Sequence, residues 1–173
     1  HLAHKVEHAV DLETGALVAV TLHGADVGDT TSVLATTLTA AEQLAAVHAA
    51  APTALVGDRG YHSNDTLLTL QALGIRAYLV EPDRGRRCWR EAPEAQGPVY
   101  GNRRRMAGPR GRRLMRRRGE YVERTFAHVY DTGGLRGGVL FGAPTIFERV
   151  VGAAGALLTR GPGVAPTPRR GRP

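Results

Sequence analysis

Two carboxylates in this sequence stand where they could bind a metal ion, and the first is Asp58. It follows the apolar run Ala54 to Gly57, which is bounded by Pro52 and Gly60. The run is too short for a helix and predicts a buried strand that ends at Asp58. Ligands bind at the carboxyl ends of strands in open α/β sheets. An acidic residue there also commonly forms a turn or caps a helix, so position alone leaves both interpretations open.

The second carboxylate is Glu123, on a helix predicted around Leu114 to Tyr130. At about 100° per residue, Glu123 lies roughly 90° from the centre of the apolar stripe that begins at Val122, whereas Glu120 lies roughly 150° away. We therefore predict that Glu123 borders the buried face and can reach a metal beside the strand end, and that Glu120 faces solvent. The alternative is that Glu123 pairs with a nearby arginine such as Arg124.

A strongly basic segment covers residues 84–118. It contains thirteen arginines opposed by Glu91 and Glu94, a net charge of +11 in a chain whose total is +7. Because like charges repel when they pack together, such a segment needs a polyanion or full solvation. We expect a nucleic acid as the partner, and a solvated basic loop is the alternative.

Five further side chains could contribute to a site, but each has a simpler interpretation. His4 and His8 have metal-ligand spacing only on a helix, and the pattern places them on a strand. Trp89 could stack on an exposed base, although a role in packing the basic segment is favoured. Tyr61 and His62 either line a metal site or support the turn in which they lie.

The bulk composition fits one domain. The 173 residues are 42% hydrophobic, enough for a core, and the lone Cys88 excludes a disulfide framework. No apolar run approaches the roughly 18 to 20 residues of a membrane span, so we expect a soluble protein of a reducing compartment. The chain has no initiator methionine and its polar start leads directly into a strand pattern, so we interpret it as a fragment of a longer protein.

Alternating strands and helices must position these residues. The predicted elements are strands at 6–11 and 16–22, a helix from Asp29 or Thr30 towards Ala50, a strand at 54–57, a helix capped by Ser63 or Asn64, a strand at 75–80, and helices at 114–130 and 145–158. The apolar face of the first helix should lie on a sheet. Residues 82–108 are rich in Pro, Gly and Arg and are predicted to be irregular. This order predicts an α/β fold with a mixed sheet, in which the strands at 54–57 and 75–80 are parallel.

Three segments of the chain resemble DDE transposases of the insertion sequence four and five groups. Residues 56–61, Val-Gly-Asp-Arg-Gly-Tyr, with the helix and strand that follow, look like the second-aspartate region of that family. Residues 118–136 look like its glutamate helix, and residues 4–21 resemble the hairpin after its first aspartate. The resemblance covers about residues 1–136, and the glutamate helix is its most specific part.

The glutamate helix also departs from the family pattern. The wider group has Tyr, Arg, Glu and Lys at fixed spacing there, and in register with Glu123 this chain has Arg116, Gly119 and Tyr130, so the glutamate alone matches. The segment 137–142 is more apolar than the basic segment expected at that place. Basic side chains at neighbouring positions would have to replace the missing ones.

The resemblance implies an RNase H-like mixed sheet flanked by helices, with a basic Arg-rich insert and a C-terminal helix. It implies an N-terminally truncated DDE catalytic domain over residues 1–160 and a disordered basic tail at 161–173. Asp58 and Glu123 would be two of three catalytic, metal-binding carboxylates. The first aspartate would lie upstream of His1, because Asp11 is interpreted as a turn residue.

The family chemistry implied is DNA cleavage and strand transfer with two Mg²⁺ or Mn²⁺ ions, which prefer carboxylate oxygens. The partners would be DNA, as element ends and target, and a second copy in a homodimeric DNA complex, in the bacterial cytoplasm at the nucleoid and not at a membrane. The arginines expected to bind DNA phosphates are Arg103, Arg104, Arg105, Arg112, Arg113, Arg116, Arg117 and Arg124.

Two other functions fit the same residues. One is a non-enzymatic, basic nucleic-acid-binding remnant of a transposase, and the other is a different RNase H-like nuclease such as a resolvase. Because the third carboxylate is expected upstream, we expect these 173 residues to be inactive by themselves.

Overall fold

The computed structural model describes residues 4–83 and 85–132. Its elements are β1 (His4–Val10), β2 (Leu17–Gly24), α1 (Asp29–Ala46), β3 (Ala54–Gly57), a 3₁₀ turn (Arg59–Tyr61), α2 (Asn64–Ala72), β4 (Arg76–Leu79), α3 (Pro93–Ala107) and α4 (Pro109–Thr132). The predicted helix at 145–158 and the predicted tail at 161–173 lie outside the described residues. No helix in the described ranges is long and apolar enough to span a membrane.

The strands pair in both directions, which confirms the predicted α/β class. β1 and β2 form an antiparallel hairpin, and β3 and β4 are parallel, each pair making a two-stranded sheet. The hairpin turn depends on Asp11, whose carboxylate accepts the backbone N–H groups of Glu13 at 3.1 Å and Thr14 at 3.0 Å. Asp11 is therefore a turn residue, as its neighbours in the sequence predicted.

The unit β3, α2, β4 follows the sequence closely. The hydroxyl of Ser63 caps α2 by accepting the backbone N–H of Thr66 at 2.9 Å. Gly74 takes the left-handed conformation, with φ of +72°, and lets the chain turn back into β4. The buried apolar cluster consists of residues from this unit and one residue of the later helix at Pro93–Ala107, namely Leu67, Leu70, Ala77, Leu79 and Val99.

The prediction that residues 82–108 are irregular was wrong, because Pro93–Ala107 form α3. The helix starts with a proline in its first turn, where the missing N–H costs nothing. Its buried residues Ala95, Pro98, Val99 and Asn102 have the i, i+3, i+4, i+7 spacing of a helix face. The Pro and Gly content of the segment favoured an irregular structure, and the helical spacing of these four residues was therefore overlooked.

α3 covers the free edge of β4. The side-chain amide of Asn102 accepts the N–H of Leu79 at 2.9 Å and donates to the Leu79 carbonyl at 2.8 Å. The guanidinium of Arg105 donates to the carbonyl of Ala77 at 2.9 Å. Side chains of α3 thus satisfy backbone groups that a third strand would otherwise pair, and the short parallel sheet ends there.

α1 packs on the hairpin through a face that is more polar than expected. Its buried residues are Ser32, Val33, Thr36, Thr37 and Ala40. Leu38, an apolar residue of the same helix, is 51% exposed. The predicted caps were also wrong, because Gly28 is the N-cap, makes no side-chain capping bond, and leaves Asp29 inside the first turn.

Candidate functional site

Asp58 lies directly after β3, as predicted, with 55% of its side chain exposed. It precedes the 3₁₀ turn at Arg59–Tyr61, yet its side chain makes no capping hydrogen bond to that turn. The capping interpretation of Asp58 therefore does not describe this structure. Its carboxylate is held from elsewhere in the chain.

The partner of Asp58 is Arg118, which lies 60 residues later on α4. The two terminal nitrogens of Arg118 each lie 2.7 Å from a different carboxylate oxygen of Asp58. This is the two-pronged geometry in which a planar guanidinium binds a carboxylate most strongly. Nothing in the sequence singles out Arg118, because it is one of thirteen arginines in the basic segment.

A second charged cluster lies between the hairpin and α1, centred on the buried Glu7, which is 5% exposed. Its carboxylate accepts the hydroxyl of Ser32 and the hydroxyl of Thr36, the latter at 2.9 Å. Lys5 lies 2.7 Å from Glu7 and also binds the carboxylate of Asp29. Burial lowers the pKa of Lys5, but the bonds to Asp29 and Glu7 outweigh it and leave that pKa raised.

Sequence reasoning missed this Glu7 cluster, although a signal for it was present. Lys5 and Glu7 alternate on a strand and therefore share one face. Asp29, Ser32 and Thr36 have the i, i+3, i+7 spacing of one helix face. Two matching polar stripes on adjacent elements predict a polar interface.

The Glu7 cluster adjoins the turn after Asp58. A Cβ on Gly60 would overlap the carboxylate of Asp29, so a larger residue there would have to displace that side chain. The ammonium of Lys5 lies 6.0 Å from the centre of the Tyr61 ring. Burial, followed by the charge of Glu7, raises the pKa of Tyr61. Tyr61 therefore lies next to the Glu7 cluster, and the charge of Arg118 also acts on its pKa.

Glu123 lies on α4, the helix whose Arg118 binds Asp58, but on a different face. It is exposed on α4, and so is Glu120, so burial does not distinguish the two glutamates. Glu123 follows Arg118 by five positions, which on an α-helix is a rotation of about 140° and a rise of about 7.5 Å. The helix face that presents Arg118 to Asp58 therefore turns Glu123 away.

The carboxylates as arranged do not fit a divalent cation. Among the residues the structure describes, no group of three or more His, Cys, Asp or Glu side chains is placed to hold a metal ion. Asp58 is bound by a guanidinium, and Glu7 and Asp29 share an ammonium. Arginine and lysine side chains therefore balance the negative charge of these carboxylates, which is the role that a metal ion would have at a metal site.

The arginines predicted to bind DNA fall into three groups. Arg103 pairs with Glu81 at 2.6 and 2.9 Å, and Arg105 binds the β4 backbone, so both have internal roles. Arg117 and Arg124 lie against the ring of Tyr121, with guanidinium carbons 5.8 and 5.5 Å from its centre. The remaining four are exposed, namely Arg104, Arg112, Arg113 and Arg116.

The structure also places the remaining candidate side chains. Trp89 packs against the apolar cluster and lies 5.7 Å from the ring of Tyr100, in line with a packing role. His8 lies on β1, where burial, and then the charge of Arg118, lowers its pKa to about 4. His62 is 1% exposed, and Cys88 is exposed.

One comparison with known proteins gave a match. A family model described as "Transposase DDE domain" matches residues 3–136, about three quarters of the chain. The matched range contains every described element from β1 to α4, and both candidate carboxylates. Searches of curated proteins and of solved structures gave no match.

Proposed function

Because the chain belongs to the transposase DDE domain family, we propose that the protein catalyses DNA transposition by metal-dependent cleavage and strand transfer, as in the insertion sequence four and five groups. The observation that carries this proposal is the placement of Asp58, an accessible carboxylate at the carboxyl end of a parallel strand inside the matched range. This is the sheet edge at which α/β proteins bind ligands.

Asp58 and Glu123 are the carboxylates we assign to catalysis and to Mg²⁺ or Mn²⁺. Carboxylate oxygens are the donors these ions prefer, and two ions would activate the attacking oxygen and stabilise the leaving oxygen of a phosphodiester. Glu123 lies on the same helix as Arg118, which binds Asp58, but on a different face of that helix.

The exposed arginines are assigned to DNA. Arg104, Arg112, Arg113 and Arg116 are exposed, and although the guanidinium of Arg112 also donates to the carbonyl of Ala107, all four side chains can reach phosphate oxygens. Arg117 and Arg124 lie beside them on α4, next to Tyr121. Contacts to phosphates increase the affinity for DNA without giving sequence specificity, because they do not read the bases. We further propose that the protein binds the element ends and the target DNA, that it is a homodimer in the DNA complex, and that it acts at the bacterial nucleoid.

The experiment measures cleavage and strand transfer in Mn²⁺, using the longest reading frame that contains this chain and DNA carrying the repeats that flank it. Asp58→Asn and Glu123→Gln should abolish both reactions and leave DNA affinity unchanged within about threefold. The matched controls are Asp65→Asn and Glu120→Gln, exposed carboxylates on α2 and α4. Strand transfer by either candidate variant would show that these residues are not the catalytic carboxylates.

A separate measurement tests the DNA surface. Neutralising Arg112, Arg113, Arg116 and Arg117 together should reduce the slope of log affinity against log salt by up to about 3.6, from roughly 0.9 per phosphate contact. Neutralising the exposed Arg76, outside the basic segment, should change it by less than about 1. An unchanged slope in the fourfold variant would place the DNA elsewhere.

A non-enzymatic, nucleic-acid-binding function is the second candidate, and one observation favours it. No group of three described His, Cys, Asp or Glu side chains is placed to hold a metal ion, and Asp58 is neutralised by Arg118. Salt-dependent DNA binding by the parent protein without cleavage in either Mg²⁺ or Mn²⁺ would select this function over transposition.

A further inference from the structure

A cavity of about 220 Å³ opens between α2, β4 and α3. Its lining residues come from all three elements and from the loop before β4, and include Leu67, Ile75, Arg76, Ala77, Pro98 and Arg105. The cavity lies at the start of β4, whereas Asp58 follows the carboxyl end of the parallel strand β3. It is therefore at the opposite end of these two strands from the candidate site.

One wall of the cavity is apolar and another carries a guanidinium group. Leu67 and Ala77 belong to the buried apolar cluster, and Ile75 packs against it. Arg105 reaches from α3 to β4, where its Nε donates to the carbonyl of Ala77 at 2.9 Å. That bond fixes the guanidinium at the cavity, and its two terminal nitrogens have no acceptor among the residues that the structure describes.

Gly101 gives this guanidinium room to lie along α3. It lies one turn before Arg105 in the interior of the helix, where glycine is less favourable than alanine. A Cβ at this position would lie 3.2 Å from a terminal nitrogen of Arg105. The helix thus contains a residue that weakens it locally at the place where the Arg105 side chain passes.

The positive charges at the cavity have no carboxylate partner. Within the described ranges, Arg76, Arg104 and Arg105 form no ion pair. Burial is the main cause that lowers the pKa of Arg105, and the charges of Arg104 and Arg76 lower it further. Uncompensated like charges this close together favour the binding of an anion.

The size and lining of the cavity indicate which anion would fit. A volume of 220 Å³ holds about seven water molecules at roughly 30 Å³ each, and pockets for drug-sized ligands begin at about 300 Å³. A group the size of one side chain therefore fits. A guanidinium binds a carboxylate through two N–H groups, and the apolar wall favours an aryl or branched alkyl group beside it. A DNA phosphate would leave that wall uncovered.

We propose that this cavity binds a small organic acid, whose carboxylate pairs with Arg105 and Arg76 and whose apolar group packs on the wall between α2 and α3. The acid is a free small molecule or the C-terminal residue of a protein, which present the same carboxylate and apolar group. The inference does not depend on the proposed function, because it concerns the other end of the parallel strands.

The test titrates the full chain with 4-fluorobenzoate and follows the ¹⁹F resonance of this probe. A dissociation constant on the order of 1 mM is expected for a ligand of about ten non-hydrogen atoms. The neutral 4-fluorobenzamide has nearly the same shape and should bind at least about tenfold more weakly, because it makes no charge-assisted pair with the arginines. Equal affinity for the acid and the amide, or no binding of the acid at about 10 mM, would overturn the inference.

Variants of the two arginines locate the site. Arg105→Gln should weaken binding of the probe about tenfold and Arg76→Gln about three- to tenfold, since each removes one guanidinium. Arg59→Gln, which removes an equal charge from an exposed position at the other end of the strands, should leave the affinity unchanged.

The Arg76→Gln variant keeps this test decisive if the loss of the bond from Arg105 to Ala77 unfolds the Arg105→Gln protein. Arg76 is exposed and its side chain makes no hydrogen bond to another described residue, so its replacement should not disturb the fold. Circular dichroism checks the folding of each variant. Parent affinity in every folded arginine variant would overturn the inference and would mean that the probe binds as an adventitious additive only.

Two competitors define the ligand further. Inorganic phosphate should displace the probe only at concentrations at least about tenfold above those of unlabelled benzoate, because it covers no apolar surface. Equal displacement by phosphate would overturn the carboxylate site. The tripeptide Gly-Gly-Phe should displace the probe better than its C-terminal amide does. Displacement stronger than that by benzoate assigns the cavity to a protein C-terminus, and weaker displacement assigns it to a free small acid.

Discussion

The two sheets in the described part of the chain are stabilised by different chemistry. The parallel pair β3 and β4 rests on the apolar cluster around Leu67 and Leu79, and α3 covers its edge. The antiparallel hairpin rests on α1 through the Glu7 cluster of carboxylate, ammonium and hydroxyl groups. We call the region of β3, β4 and α3 the apolar half and the region of the hairpin and α1 the polar half. The apolar half fixes the strand end that carries Asp58. The stability of the polar half depends on every hydrogen-bond and ion-pair partner, because the loss of one leaves a buried polar group unpaired.

The largest expected effect is in the apolar half. Leu79→Ala should lower the free energy of unfolding by about 4 kcal/mol, because it leaves a cavity in the centre of the cluster. Leu79 is 0% exposed, whereas the control Leu73 is 49% exposed, and Leu73→Ala should cost less than about 1 kcal/mol. Urea denaturation followed by circular dichroism measures both. Equal costs would mean that the cluster does not support the parallel sheet.

The next effect is the loss of Glu7 from the polar half. Glu7→Ala removes the shared acceptor of Ser32 and Thr36 and one partner of Lys5. We expect a cost of about 2 to 3 kcal/mol, below the range for a fully buried pair, because Lys5 keeps Asp29. Glu7→Gln, which retains acceptor oxygen, should cost about 1 kcal/mol. A Glu7→Ala protein as stable as the parent would remove the distinction between the halves.

The polar half should also respond to pH through His8, whose pKa is lowered to about 4 from 6.5. Between these values the unfolded chain binds a proton that the folded chain does not, so stability falls as the pH falls. From about pH 7 to about pH 5 the loss should be no more than about 2 kcal/mol.

His8→Gln should reduce that pH dependence, and His48→Gln, at an exposed residue, should not. Urea denaturation of the three proteins at the two pH values separates His8 from the other titrating groups. The same pH dependence in the parent and in His8→Gln would show that the ring is accessible to protons when folded.

The smallest effect concerns the contact between the hairpin turn and α4. Gly15 and Gly74 have φ of +76° and +72°, so alanine at either position is strained by roughly 1 kcal/mol. A Cβ on Gly15 would also lie 3.0 Å from the Tyr121 ring, whereas nothing lies within 4 Å of one on Gly74.

Gly15→Ala should therefore cost more than Gly74→Ala, by about 0.5 to 1 kcal/mol in urea denaturation. The difference measures how tightly the hairpin turn holds the helix that carries Arg118 and Glu123. If the two variants are equally stable, the contact with Tyr121 does not restrain α4.

Much of the fold could be predicted from local patterns. The hairpin, the strand at Ala54–Gly57, the Ser63 cap and the parallel pairing were all predicted, because turn residues, caps and apolar runs act over a few neighbours. α3 was missed because its Pro and Gly outweighed the spacing of its buried residues. The exposure of Leu38 could not be predicted, because it depends on which side of α1 the hairpin covers.

The sequence by itself determined the α/β class, the position of Asp58 at a strand end and the resemblance to DDE transposases, which the family match bears out. Only the tertiary structure decided which of thirteen arginines neutralises Asp58. Hydrogen-bond and hydrophobic patterns are local along the chain. An ion pair is chosen by distances between elements 60 residues apart, which no local pattern contains.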